Sequence, residues 1–130
     1  MKNLISLAGA LLLLALMQLS GMFSKFSLSH PFWETKATLI GAGIGIAIAL
    51  VLFIAIKRSR SIMPMLTTLV MVLLVICTGV TWYFARVFIN SEVFEPLAGK
   101  IWFFGYHGLV ALFVLVVAMF IRRFLPMDKT

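Results

Sequence analysis

The sequence predicts an all-α, polytopic membrane protein of four transmembrane helices, N-in/C-in. Three observations predict it. The chain of 130 residues is 63% hydrophobic and only 12% charged, whereas a soluble domain carries about 25% charged residues. Its apolar residues fall in four continuous runs, each near the roughly 20 residues that a helix needs to cross a bilayer. Basic and aromatic residues are sorted to opposite ends of those runs. The mean hydropathy of +1.15 excludes a water-soluble fold, and continuous runs rather than alternating ten-residue segments exclude a β-barrel. Inside lipid, a helix satisfies every backbone N–H and C=O within its own segment.

The expected helices span about 4–23, 35–56, 64–85 and 101–122, and together they form a single transmembrane domain over 1–130. The first follows Lys2 and contains LLLLALMQL. It shares the basic start and apolar core of a signal peptide, but no small-x-small cleavage site precedes Lys25, so it reads as a retained helix. His30-Pro31 breaks the polar stretch that follows. The second run stops at Lys57-Arg58-Ser59-Arg60. Pro64 stands in the first turn of the third, where proline is tolerated, and Arg86 ends it. A polar segment from Asn90 to Lys100 leads into the fourth, closed by Arg122-Arg123, with Pro126 as the final stop.

Charge sets the expected orientation. With the N-terminus inside, the inner side holds Lys2, Lys57, Arg58, Arg60, Arg122, Arg123 and Lys129 against one acid, Asp128. The outer side holds Lys25, Lys36, Arg86 and Lys100 against Glu34, Glu92 and Glu95. The positive-inside rule favours this arrangement, and a bacterial inner (cytoplasmic) membrane is the expected location. The same rule accounts for the net charge of +7 without nucleic acid as a partner. Trp33, Trp82, Tyr83, Trp102 and Tyr106 all fall at the outer ends, where amphipathic rings prefer the headgroup level.

The second run carries Ala37, Gly41, Gly45 and Ala49, one small residue every four. Such a stripe lets another backbone approach closely, either within the bundle or from another subunit. Thr78 and Thr81 can bond to a neighbouring helix or back to their own carbonyls. Cys77, the single cysteine, reads as an inert thiol in an apolar run.

Candidate chemistry is sparse. No Asp or Glu lies within a span, which argues against a proton-coupled multidrug-type antiporter. No metal, phosphate-loop or nucleophile motif is present, and the chain is not expected to be an enzyme. His107 is the one ionisable residue well inside a span, roughly 9 Å deep at 1.5 Å per residue. Trp102 and Tyr106 lie near it in sequence, and Trp82 and Arg86 close the preceding run at the same side. These five are the ligand-binding candidates, for a haem iron, a quinone oxygen or an acidic headgroup. Gly105 and Gly108 flank His107 and would admit a ligand. His107 with His30 is the candidate pair for b-type haem, although a loop position before proline suits a rigid ligand poorly.

The leading expectation is a small subunit, assembly factor or helix-contact partner of a larger membrane complex, with the bilayer and other membrane subunits, or itself, as partners. The alternatives are a transporter or channel-like homo-oligomer for a lipophilic or anionic substrate, a haem- or quinone-binding anchor in electron transfer, and an immunity- or holin-like protein.

Overall fold

The computed structural model describes residues 1–56 and 61–125. The expected roles of Lys57, Arg58, Arg60, Asp128 and Lys129, and the stop at Pro126, fall outside those residues. The elements are α1 (Lys2–Leu19), α2 (Met22–Lys25), α3 (Glu34–Ala55), α4 (Ile62–Asn90) and α5 (Pro96–Phe124). Among the described residues, α1, α3, α4 and α5 are long and apolar enough to cross a membrane.

Three helix boundaries differ from the sequence reading for physical reasons. The first helix stops at Leu19, because Gly21 takes a left-handed conformation (φ 68°) that only glycine adopts without strain. The chain then makes the single turn α2 and reverses through Ser27, also at positive φ. At the other hairpin, α4 and α5 each reach 29 residues, about 43 Å at 1.5 Å per residue. Polar residues end the apolar runs there but do not end the helices. The α4 helix continues through Arg86 to Asn90 until Ser91 turns extended, and α5 begins with Pro96 at its first turn, where the missing N–H is harmless.

The α5 helix is the hub. It packs extensively against α1, α3 and α4, whereas α1 and α3 touch each other only slightly. Its consecutive residues Leu109, Val110 and Ala111, then Val114, Leu115 and Val116, are all buried. Burial on more than one face marks a helix surrounded by others.

Specific contacts set the helix directions. Gly9 of α1 meets Ile121, while Phe23 just beyond α1 meets Tyr106, so α1 runs antiparallel to α5. Thr38 bonds Tyr106 and Phe53 lies under Arg122, so α3 runs parallel to it. Thr81 meets Gly105 and Phe88 meets Gly99, so α4 is antiparallel. The start of α1 and the end of α5 therefore share one end of the bundle, the basic end. The segment after α1, the start of α3 and the α4–α5 hairpin form the opposite, aromatic end.

Glycines make the close approaches possible. A methyl group on Gly41 would stand 2.8 Å from Val110 Cβ and 2.9 Å from the His107 carbonyl oxygen. One on Gly45 would stand 2.6 Å from the Ala111 carbonyl oxygen. Ala37 and Ala49 are buried on the same face. The small-residue stripe of α3 is thus occupied by α5 of the same chain.

Candidate functional site

The aromatic end is built around Trp33, Trp102 and Tyr106. His30 forms the turn that starts α3: its carbonyl accepts from the N–H groups of Trp33 and Glu34, and Ser29 Oγ donates to Glu34 Oε2 at 2.6 Å. That turn aims Trp33 inward, where it meets Trp102, Phe103 and Tyr106 edge-on at 5.3–5.5 Å between centroids. Trp102 is 3% exposed, and its Nε1–H donates to the Leu28 carbonyl at 2.9 Å. Tyr106 is fully buried. Its hydroxyl shares a 2.7 Å hydrogen bond with Thr38 Oγ1, and Phe23 packs edge-on to its ring at 5.6 Å. Buried aromatic rings whose polar atoms find a partner both pack and anchor.

The five candidate residues do not converge on one pocket. Trp102 and Tyr106 face inward and tie the 23–33 segment and α3 to α5. Trp82 is 45% exposed on α4, and the Arg86 guanidinium lies over its ring at 5.1 Å. A cation–π pair one turn apart leaves that arginine on the open face of α4. His107 is half-buried on α5. Its Nδ1–H donates to the Phe103 carbonyl of the preceding turn at 2.8 Å, which leaves Nε2 as the acceptor of the neutral ring. Its nearest aromatic neighbour is Phe103, at 4.5 Å.

The flanking glycines do not open a path to His107. A methyl group on Gly105 would stand 2.6 Å from Thr81 Oγ1, and one on Gly108 would stand 3.3 Å from Cys77 Sγ. Both positions are filled by α4. Thr81 and Thr78 bond back to the Cys77 and Leu74 carbonyls, while Cys77 Sγ donates to the Gly105 carbonyl at 3.4 Å. The two histidines are linked through Trp33 and Phe103 rather than directly.

An open cleft of about 440 Å³ does lie at this end, between the His30 turn, the end of α4 and the start of α5. Its walls include Phe32, Trp33, Phe88, Phe94, Trp102 and Phe103, with His30 and Lys100 as its polar groups. The His30 Nδ1 accepts the Phe32 N–H at 3.2 Å, so Nε2 carries the proton of the neutral ring. The cleft is aromatic with two donors. Of its residues, only His30 and Trp102 stood among the sequence candidates. In the sequence, Lys100 and Trp33 were visible only as charged and aromatic residues at the ends of the apolar runs.

Comparisons with protein families, with curated proteins and with solved structures each find no match for this chain. The class of protein therefore rests on the fold: an all-helical chain with four helices of membrane-spanning length and composition.

Proposed function

We propose that the protein is a non-enzymatic component of a bacterial inner membrane, N-in/C-in, that works as a small subunit or assembly partner through helix contacts. The observation that carries this reading is the attachment of α4. Its buried positions, Thr67, Val70, Thr81 and Ala85, and its half-buried ones, Met63, Leu66, Leu74, Cys77, Thr78, Phe84, Val87 and Phe88, fall mostly three or four residues apart. They form one stripe, which packs on α5. Only 11% of its most apolar window is buried, against 56% for α5. A closed four-helix bundle would give α4 two flanking neighbours; among the described residues its one extensive interface is with α5. Gly79 lies on the exposed side, and a methyl group added there would have nothing within 4 Å. An open glycine in a membrane helix admits close approach of a further helix. The positive-inside rule supports the orientation, since the basic end carries Lys2, Arg122 and Arg123.

Photocrosslinking residues placed at Val75, Gly79 and Trp82 in native membranes test this. A discrete heterologous adduct, lost on Gly79→Leu while the helical circular dichroism is unchanged, is the expected result. Adducts to lipid alone would reject it.

A second reading, binding or transport of a lipophilic molecule, is favoured by the aromatic cleft. Its volume falls in the range of small-molecule sites, and its few polar groups among aromatic walls match their usual lining. A short-chain quinone serves as a probe: saturable quenching of tryptophan emission, lost in His30→Ala, supports it. Quenching that rises linearly with quinone and is unchanged in the variant rejects it. His107→Ala leaves this quenching intact, because His107 is not among the cleft's lining residues.

A further inference from the structure

At the basic end, opposite the aromatic cleft, a cavity of about 390 Å³ is lined by Lys2 of α1, Ile56, Met63 and Pro64 around the start of α4, and Arg122, Arg123 and Leu125 at the end of α5. Three cations face it. The acids among the described residues, Glu34, Glu92 and Glu95, all belong to the aromatic end. Basic residues in the last turn of α5 complement the helix dipole, and that explains why Arg122 and Arg123 stand there. It does not explain the cavity or the state of the Arg122 guanidinium.

That guanidinium is held in place. It lies over the Phe53 ring at 4.3 Å, and Nη2 donates to the Phe53 carbonyl at 3.5 Å. Nη1 is buried and has no hydrogen-bond partner among the described residues. A buried donor without an acceptor is destabilising, the more so on a charged group. Two arginines and a lysine line one cavity, and the planar guanidinium fork is the side chain best suited to phosphate oxygens. The remaining walls, Ile56, Met63, Pro64 and Leu125, suit the apolar part of an amphiphile.

We propose that this cavity binds a phosphate group, with Arg122 as its principal contact and Arg123 and Lys2 at the rim. The bilayer supplies such a group on anionic lipids at the depth where helices end; free phosphate carries the same chemistry. The inference is independent of the partner proposed for α4.

Native mass spectrometry of the full chain in mild detergent tests it, with phosphatidylglycerol, phosphatidylcholine and inorganic phosphate as probes. The expected result is one tight phosphatidylglycerol, bound well ahead of phosphatidylcholine. Arg122→Gln should weaken it about tenfold, the scale of one charge-assisted contact, and Arg123→Gln should weaken it less. Displacement by millimolar inorganic phosphate, itself dependent on Arg122, assigns the site to free phosphate instead. Equal phosphatidylglycerol binding by wild type and Arg122→Gln, or no preference over phosphatidylcholine, overturns the proposal. So does binding that appears only in Asp128→Asn, because Asp128 would then be the native partner of Nη1. If Arg122→Gln does not fold, Lys2→Gln with Arg123→Gln must lower the affinity several-fold, and an unchanged affinity overturns the proposal equally.

Discussion

Gly45 of α3 and Ala111 of α5 stand so close that a side chain at Gly45 has no room: its first carbon would lie 2.6 Å from the Ala111 carbonyl oxygen. The obstacle is backbone, which cannot rotate away as a side-chain tip can. The α3–α5 interface is therefore set by the absence of a side chain at Gly45 and at Gly41 one turn earlier, and α5 is the helix to which the rest of the chain is fastened.

Gly45→Ala should therefore lower stability by about 1–3 kcal/mol, the range for overpacking a filled interior. Gly43→Ala, two residues away and with nothing within 4 Å, should be neutral or slightly stabilising, since alanine is the better helix former by up to about 1 kcal/mol. Unfolding in mixed micelles followed by circular dichroism compares the two. Equal effects would show that the close approach is not what glycine provides.

The Thr38–Tyr106 hydrogen bond crosses from α3 to α5 with both residues buried. Tyr106→Phe should cost about 0.6 kcal/mol, the mean for such bonds between membrane helices, and at most about 1.7 kcal/mol. Thr38→Val added to it should cost less than when made alone, and a double-mutant cycle in the same unfolding assay reads that coupling. Additive losses would mean the two hydroxyls do not depend on each other.

Trp102→Phe keeps most of the ring but removes the bond from Nε1 to the Leu28 carbonyl. Leaving that carbonyl without its donor should cost about 1–3 kcal/mol, concentrated in the 23–33 segment. Hydrogen exchange should quicken at residues 26–33 and stay unchanged in α1. Uniform quickening throughout the chain would instead indicate general loss of packing.

Cys77 is half-buried on α4 against Gly105, to whose carbonyl it donates. A maleimide should label it slowly in the folded protein and at least about tenfold faster after unfolding in dodecyl sulfate, because reaction needs an accessible thiolate. Gly105→Leu, which would collide with Thr81, should separate α4 from α5 and remove most of that protection. Rapid labelling of the folded wild type would place Cys77 on an open face.

Some features were legible from residue order because they are local or are imposed by the bilayer. The existence of the four helices follows from run length, and the break near His30-Pro31 follows from backbone chemistry. The helix ends were less legible: Arg86, Asn90 and Lys100 mark where apolar composition stops, while the helices themselves run on to Asn90 and back to Pro96. Gly21 ended the first helix early by its left-handed φ, a consequence that needs its neighbours as well as its identity.

The outer candidates show the sharper limit. Run position puts Trp82, Arg86, Trp102, Tyr106 and His107 toward the same end of the bundle. It does not say which way a helix is turned about its own axis. Rotation is decided by packing against other helices, through contacts such as Gly45 on Ala111, Gly105 on Thr81 and Thr38 on Tyr106. That packing put Trp102 and Tyr106 inside, left Trp82 and Arg86 on the open face of α4, and brought Trp33 and Lys100 to the cleft. Hydropathy and run length by themselves determined an all-helical chain with four helices fit to cross a bilayer, because the backbone must satisfy its hydrogen bonds locally there. Only the tertiary structure decided that α5 is the hub and that α4 hangs from it by one seam, because side-chain fit between distant segments has no signature in local composition.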